Sequence, residues 1–316
     1  MFVFVLRRLF WLIFLLLMLS YLCFVMIYLS KGSVAYANSP QALSYELRSR
    51  IETNLNLNKP LNEQYLSWLN NFLRGDLSHS LITGESVNEL MAKALPNTLI
   101  LGFFALFVLF ITSLFLAILS VFYKDTLIDK SLNFISMSFL ATPSFAISLG
   151  LILVFAVYLR ILPSSQVSDL GLEDDLFNRL KHLILPTLAL VLAHLGAYLR
   201  IFRTILLEAL NQGFVEASLA RGLSKKRLYF KLILKYSLPP ILVYFAANSI
   251  AFLVNTYVVE AVFSYAGIGK LVIESIIFKD YPVSLAIIIF SLVGVVVLNF
   301  CTELLANLLD LRKSYA

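Results

Sequence analysis

The chain has 316 residues, of which 60% are hydrophobic and 14% are charged, and its mean hydropathy is +0.86. Soluble domains are about 45–50% apolar and about 25% charged, so this composition excludes a soluble globular protein. The net charge of +6 does not require a nucleic-acid partner, because membrane proteins collect Lys and Arg in their cytoplasmic loops. Cys23 and Cys301 lie in apolar runs, where a thiol is a small buried hydrophobe rather than half of a disulfide. The sequence predicts a membrane protein.

Six runs free of Asp, Glu, Lys and Arg have the length that a helix needs to cross a bilayer, which is about 20 residues. The predicted spans are Leu9–Ser30, Leu99–Tyr123, Ser131–Leu159, Leu183–Leu199, Leu238–Val259 and Val283–Thr302. Each run must be helical, because backbone polar groups in lipid have to be paired within the protein. We therefore predict an all-α membrane protein with six transmembrane helices.

The distribution of charge predicts the orientation of these spans. With the amino terminus in the cytoplasm, the inner segments contain 14 of the 25 Lys and Arg residues and 6 of the 19 Asp and Glu residues. The inner segments then carry a net charge of +8 and the outer segments −2. Positive charge is retained on the cytoplasmic side, so both termini are predicted to be cytoplasmic.

The chain divides into three predicted parts. Residues 1–30 form an amino-terminal transmembrane helix, residues 31–97 a periplasmic segment, and residues 98–310 a five-helix core. The first span has 22 residues, whereas the apolar part of a signal peptide has about 7–15, so we predict a retained anchor. Cleavage after Ala35-Tyr36-Ala37 is the alternative.

The spans contain small polar residues but almost no ionisable ones. His194 is the one side chain in a span that titrates near neutral pH, and it is interpreted as either a packed side chain or a proton relay. Hydroxyl and amide groups suit a path for a polar solute, with helix–helix hydrogen bonding as the alternative role. The predicted path residues are Ser138, Thr142, Asn248, Asn255 and Thr256. Pro143, in the middle of a span, predicts a kink.

The inner segment 200–236 has a helix–turn–helix pattern between two spans. A short helix is predicted to end at Gly222, where glycine can adopt a left-handed backbone. Ser224 is predicted to cap a second helix, with Leu228 and Leu232 on one side of it and Lys231 on the other. Topology alone explains the positive charge of this segment but does not explain the two-helix pattern.

These residues resemble a known family. Glu216-Ala217-Ser218-x-x-x-Gly222 is similar to the Glu-Ala-Ala-x3-Gly loop of binding-protein-dependent ABC transporter permeases, and Ala220-Arg-Gly-Leu-Ser-Lys-Lys-Arg227 resembles the branch that imports dipeptides, oligopeptides and nickel. Similar segments run along the chain. They include Arg7-Arg8-Leu9, Leu73-Arg-Gly-Asp-Leu-Ser-His-Ser80, Leu95-Pro96-Asn-Thr-Leu99, Glu260-Ala-Val-Phe-Ser-Tyr-Ala-Gly-Ile-Gly269, Lys279-Asp-Tyr-Pro-Val283 and Leu309-Asp-Leu-Arg312.

The resemblance implies a type I ABC importer permease in the bacterial inner membrane. Its implied partners are a second similar permease, two ATPase subunits and a periplasmic binding protein, with no nucleic acid. ATP and Mg would bind the ATPases, because this chain has no phosphate-binding loop, no catalytic residue and no metal site. The implied ATPase-coupling residues are Phe214, Glu216, Ala217, Ala220, Arg221, Gly222, Leu223 and Ser224. The implied docking residues for the binding protein are Glu173, Asp174, Asp175 and Glu260.

Three alternatives remain open from the sequence. Nickel could replace peptides as the solute, although nickel prefers imidazole ligands and the chain has three histidines. An autonomous secondary carrier could use sodium sites made of hydroxyls and carbonyls. An intramembrane enzyme would need a nucleophile–base pair or a metal triad within the membrane, which one histidine does not supply.

Overall fold

The computed structural model describes residues 2–29 and 60–309, which are helical apart from loops and one isolated β-bridge between His79 and Ser86. The predicted cleavage site at Ala35-Tyr36-Ala37 and the last residues of the tail motif, 310–312, lie outside this range. Helix is the expected structure, because it pairs all backbone polar groups within one segment.

In chain order the helices are α1 (Phe2–Leu29), α2 (Leu61–Leu73), α3 (Val87–Phe122), α4 (Leu127–Leu140), α5 (Ser144–Leu151), α6 (Leu176–Leu210), α7 (Gly213–Ala220), α8 (Leu234–Val262), α9 (Ile268–Ile277) and α10 (Tyr281–Leu309). A π-helical segment, Ile152–Tyr158, extends α5. Another, Leu228–Ile233, joins the single turn Lys225–Arg227 to α8. Within the described residues, four helices can span a membrane, or five if α4 and α5 form one broken span. Six spans remain a prediction.

The third predicted span is broken at Pro143. The helix α4 ends at Leu140, and α5 leaves it at an angle of 103°. Pro143 has an extended backbone, with φ −59° and ψ 143°, and a proline also disfavours the helical conformation of the residue before it. The kink predicted at Pro143 is therefore a complete break. Pro282 is the second residue of α10, and four other prolines lie in helix interiors: Pro96, Pro186, Pro239 and Pro240.

The helices fall into two compact units, and the described residues of the first are 2–29, 60–96 and 270–297. In this unit α1 packs against α2 through a 2.7 Å hydrogen bond between the hydroxyls of Ser20 and Tyr65. The Tyr65 ring also lies 5.6 Å from Phe24 and stacks on Trp68. A second contact joins distant motifs, because the Ser80 hydroxyl donates to the buried carboxylate of Asp280.

The described residues of the second unit are 97–269 and 298–309, and α6 lies at its centre. The helices α4, α5 and α8 all pack against α6. Fully buried aromatic side chains fill the core, among them Tyr198, Phe202 and Phe252. The backbones of α4 and α6 touch at Gly196, because a Cβ there would overlap the carbonyl of Ser136. Close approach at small residues is typical of helices packed in membranes.

Candidate coupling element and solute path

The predicted turn at Gly222 has the geometry that its sequence indicates. Gly222 has φ +77° and follows the last turn of α7. Its amide donates to the carbonyl of Leu219 at 2.9 Å, and the amide of Leu223 donates to the carbonyl of Ser218 at 3.1 Å. This pair of bonds is a Schellman motif, which satisfies the last carbonyls of a helix and needs a left-handed residue at the turn.

One face of α7 holds it to the protein and the other is exposed. Val215 is buried, and the Phe214 ring lies 5.1 Å from the Tyr236 ring, which anchors α7. Glu216 and Ala217 are exposed, and so is Leu219, at 48%. The exposed face continues into the turn through Ala220, Arg221, Gly222 and Ser224, with Leu223 half-buried. The exposed face of α7 therefore carries both a carboxylate and an apolar side chain.

The structure corrects the prediction for the second short helix. Lys225–Arg227, Leu228–Ile233 and α8 are one continuous helix, because a π-helical segment connects them without a break. The Ser224 side chain makes no capping hydrogen bond, and its carbonyl instead accepts from the amide of Leu228 at 3.0 Å. The predicted division of faces holds, since Leu228 is buried and Lys231 is exposed.

A charged cluster that the sequence reasoning missed joins three helices, α3, α4 and α6. Arg203 in α6 donates two hydrogen bonds to the Asp129 carboxylate of α4, from Nε to Oδ1 at 3.1 Å and from Nη2 to Oδ2 at 2.8 Å. The hydroxyl of Ser120 in α3 donates to the same carboxylate. Asp129 is 4% exposed. The signal in the sequence is a pair of opposite charges, each just beyond a charge-free span, but it does not indicate that they meet.

The predicted path residues occupy different environments. Ser138 and Thr142 are exposed near the Pro143 break, and each donates its hydroxyl to a carbonyl four residues earlier. Asn248 and Asn255 are half-buried and lie seven residues apart, on one side of α8. Thr256 is fully buried and bonded to the carbonyl of Phe252, so its side chain is not on any surface. The structure therefore leaves four of the five residues accessible.

The predicted docking residues also divide into two groups. Glu173, Asp174 and Asp175 are exposed, and the Asp175 carboxylate caps α6 by accepting from the amide of Phe177. Hydrogen bonds from its own backbone amide and from the amide of Gly171 hold the pKa of Glu173 below its usual value. Glu260 is fully buried, and its carboxylate accepts from the amide of Gly269, so it holds a turn of its own chain. The expected contact between Glu260 and the binding protein is therefore wrong, because no part of Glu260 reaches the surface.

Polar side chains of α6 bind the loop that precedes this helix. A hydrogen bond from the Asn178 amide at 2.7 Å, together with the neighbouring His182, lowers the pKa of Asp169. His182 is buried, and its Nδ1 lies 2.8 Å from the carbonyl of Ser165. The described residues contain no group of three His, Cys, Asp or Glu side chains that could hold a metal ion.

The family profile described as binding-protein-dependent transport system inner membrane component matches residues 110–315. The chain belongs to this family. A second profile, for the amino-terminal part of such membrane components, matches residues 1–102 of the permease. The permease is therefore an ABC inner-membrane transport subunit, a multi-pass protein of the bacterial inner membrane.

Relatives of the permease match it over most of their length. The oligopeptide transport system permease protein AppB of Bacillus subtilis (strain 168) is 33% identical over 313 residues, which is 99% of each chain. The oligopeptide transport system permease protein OppB of Escherichia coli (strain K12) is 29% identical over 287 residues, 90% of each chain. Haemophilus influenzae OppB is 28% identical over 278 residues, 88% of each chain.

Two solved structures share the fold of the permease. A chain of the MetNI methionine ABC transporter, in an inward-facing conformation, aligns with a TM-score of 0.55 at 16% identity, covering 70% of the permease and 96% of that chain. A chain of an amino acid ABC transporter crystallised with histidines aligns with a TM-score of 0.52 at 18% identity, covering 69% and 94%. The permease thus has the all-α fold of ABC importer permeases.

Proposed function

We propose that this chain is a peptide-conducting permease subunit of an ATP-driven importer. The observation that carries the proposal is the likeness along 99% of the chain to a permease of an oligopeptide transport system. The separate relatives from Escherichia coli and Haemophilus influenzae bear the same substrate class in their names. Nickel is not favoured, since these relatives are named as oligopeptide permeases.

The exposed face of α7 is the proposed contact with an ATPase subunit. Glu216, Ala217 and Ala220 would lie in a groove of the ATPase, with the Gly222 turn directing the chain back towards α8. Only two residues separate α6 from α7, so movement of α7 would be passed directly to the end of α6. Closure of the ATPases would thus act on the membrane helices as a rigid-body displacement.

The other partners are proposed from the family. A second permease would complete the solute path, two ATPases would bind and hydrolyse ATP with Mg, and a soluble binding protein would deliver the peptide. This chain would bind no cofactor and catalyse no reaction. We further propose six spans with cytoplasmic termini, and a division into residues 1–30, a periplasmic segment 31–97 and a transport core 98–310.

The exposed acidic residues Glu173, Asp174 and Asp175 are proposed to contact the binding protein. A triple replacement by Asn and Gln should slow uptake and weaken its dependence on salt, because charge complementarity mainly raises association rates. Binding-protein titrations of uptake at low and high salt would measure this effect. Identical titration curves for the wild type and the variant would show that the three charges are only solvated by water and do not contribute to docking.

The permease should be produced together with its neighbouring transport genes, purified in mild detergent and reconstituted in liposomes. We expect two ATPases and a second permease to co-purify, and labelled trialanine to enter only with ATP and the loaded binding protein. A secondary carrier would instead purify without an ATPase and respond to a sodium or proton gradient. Uptake of nickel but not of trialanine would contradict the peptide assignment while leaving the ATP-driven mechanism intact.

A further inference from the structure

Three polar side chains within the membrane-spanning region form one hydrogen-bonded chain across three helices of the second unit. Ser144, the first residue of α5, donates its hydroxyl to the Asn255 carboxamide oxygen on α8 at 3.1 Å. The Asn255 amide nitrogen lies 3.1 Å from Nε2 of His194 on α6. His194 in turn places Nδ1 at 2.8 Å from the carbonyl oxygen of Leu190. Ser144 thus connects to His194 through the amide of Asn255.

The His194 end of this chain fixes its direction. A carbonyl oxygen can only accept a hydrogen bond, so Nδ1 of His194 carries the proton and Nε2 of the neutral ring accepts. The Asn255 amide must then present N–H to His194 and its oxygen to Ser144. The second N–H of the amide points to the carbonyl of Ala251 at 3.5 Å. His194 therefore sets which end of the Asn255 amide faces the Pro143 break.

The side-chain donors at this end of the hydrogen-bonded chain are occupied, and side-chain acceptors remain. The Ser144 hydroxyl proton is used on Asn255, which leaves oxygen lone pairs on both side chains. Thr142 and Ser138, exposed beside the break, also donate their hydroxyl protons to backbone carbonyls. Ser144 and Asn255 are only half-buried, so part of each residue is accessible. The side chains around the break therefore offer hydrogen-bond acceptors without a charge.

We propose that Ser144 and Asn255 form an acceptor site for the backbone N–H groups of a peptide in transit, with His194 as its positioning residue. This proposal rests on the proposed peptide transport. Backbone N–H groups occur in every peptide whatever its side chains, so a neutral acceptor site contacts peptides of mixed sequence alike. A neutral hydrogen bond is also weak, which allows the solute to leave.

The test compares trialanine with its analogue N-methylated at the backbone amides, which lacks those donors. Uptake into liposomes is measured for the whole transporter, with saturating binding protein preloaded with either peptide. Wild-type transporter should move trialanine about fivefold faster than the analogue at saturation, the effect of one neutral hydrogen bond. Equal maximal rates for the two peptides in the wild type would overturn the proposal without any variant.

The variants separate positioning from folding. Asn255→Leu should abolish the preference by lowering the maximal trialanine rate, with no change in half-saturation by loaded binding protein. His194→Phe should weaken the preference, whereas His194→Gln keeps an acceptor for Asn255 and should restore it. Ser249→Ala, on the same helix and bonded only to its own backbone, is the control. An equal loss of both peptides in Asn255→Leu would refute the site, whereas a wild type that moves neither peptide would refute peptide transport itself, and the site with it.

Discussion

Gly222 contributes backbone conformation rather than side-chain contacts. A Cβ at this position would meet no atom within 4 Å, so there is space for a larger residue. The φ of +77° is nevertheless unfavourable by about 1–2 kcal/mol for a residue with a Cβ, and more for a β-branched one. The requirement for glycine is therefore conformational, which separates it from an ordinary packing constraint.

We predict that Gly222→Val inserts normally but loses peptide-stimulated ATP hydrolysis, since the chain after α7 would leave in another direction. Gly222→Asn should retain most of the activity, because Asn tolerates the left-handed region. Gly213→Ala is a matched control, as Gly213 also has free space but no positive φ. Co-purification measures the binding of the ATPase subunits, and ATPase assays measure peptide-stimulated hydrolysis. Full stimulation in Gly222→Val would contradict the role of Gly222 as the turn of the coupling element.

A second residue-scale prediction concerns the ion pair of Asp129 and Arg203. Asp129 is buried, whereas the Arg203 side chain is 22% exposed. Removing one partner leaves the other without its ion pair, so Asp129→Leu or Arg203→Met alone should destabilise the protein by about 1–3 kcal/mol. The double variant should be less destabilised than either single variant. Thermal unfolding in detergent of the wild type, the two single variants and the double variant measures these differences in stability. The exposed pair Lys93 and Glu85 serves as the control, and its removal should change stability by less than about 1 kcal/mol.

Packing between elements depends on small residues where backbones touch. We predict that Gly196→Ala destabilises the protein by about 1–3 kcal/mol, because the added Cβ would overlap the Ser136 carbonyl and separate α4 from α6. Gly150→Ala in α5, where no atom lies within 4 Å of the added Cβ, should have little effect. Equal melting temperatures of both variants and the wild type would show that α4 can shift without cost.

The elements also show what the sequence could predict. The turn at Gly222 follows from the freedom of glycine to adopt a left-handed backbone, and the break at Pro143 follows from the fixed φ and missing N–H of proline. Both positions could therefore be located from the local sequence. The contact between Asp129 and Arg203 joins residues 74 positions apart, and no local pattern encodes such a distance. The resemblance implies that Glu260 contacts the binding protein, yet the Gly267–Gly269 turn packs against its buried carboxylate.

At the scale of the whole molecule, the bend between α4 and α5 makes the orientation of the chain testable. If both helices form one span, the loop before α6 lies outside, and Leu170→Cys, at a fully exposed site, should react with an impermeant maleimide in intact cells. Lys226→Cys should react only after the membrane is opened, as expected for a positive inner segment. Both variants are made without Cys23 and Cys301. Labelling of Leu170→Cys only in opened membranes would mean that α4 and α5 form a re-entrant loop, which enters the membrane from the cytoplasm and returns to the cytoplasm.

The contact between Ser80 and Asp280 also has a consequence for synthesis. The two residues are 200 positions apart in the chain, so the carboxylate reaches its hydroxyl partner only after most of the protein has been translated. At about 5–20 residues per second, Ser80 waits about 10–40 s for Asp280 to leave the ribosome. During that interval the segment around Ser80 lacks its final partner and is open to proteases and chaperones. Nascent chains arrested before residue 280 should therefore be cleaved near Ser80 more readily than the finished protein.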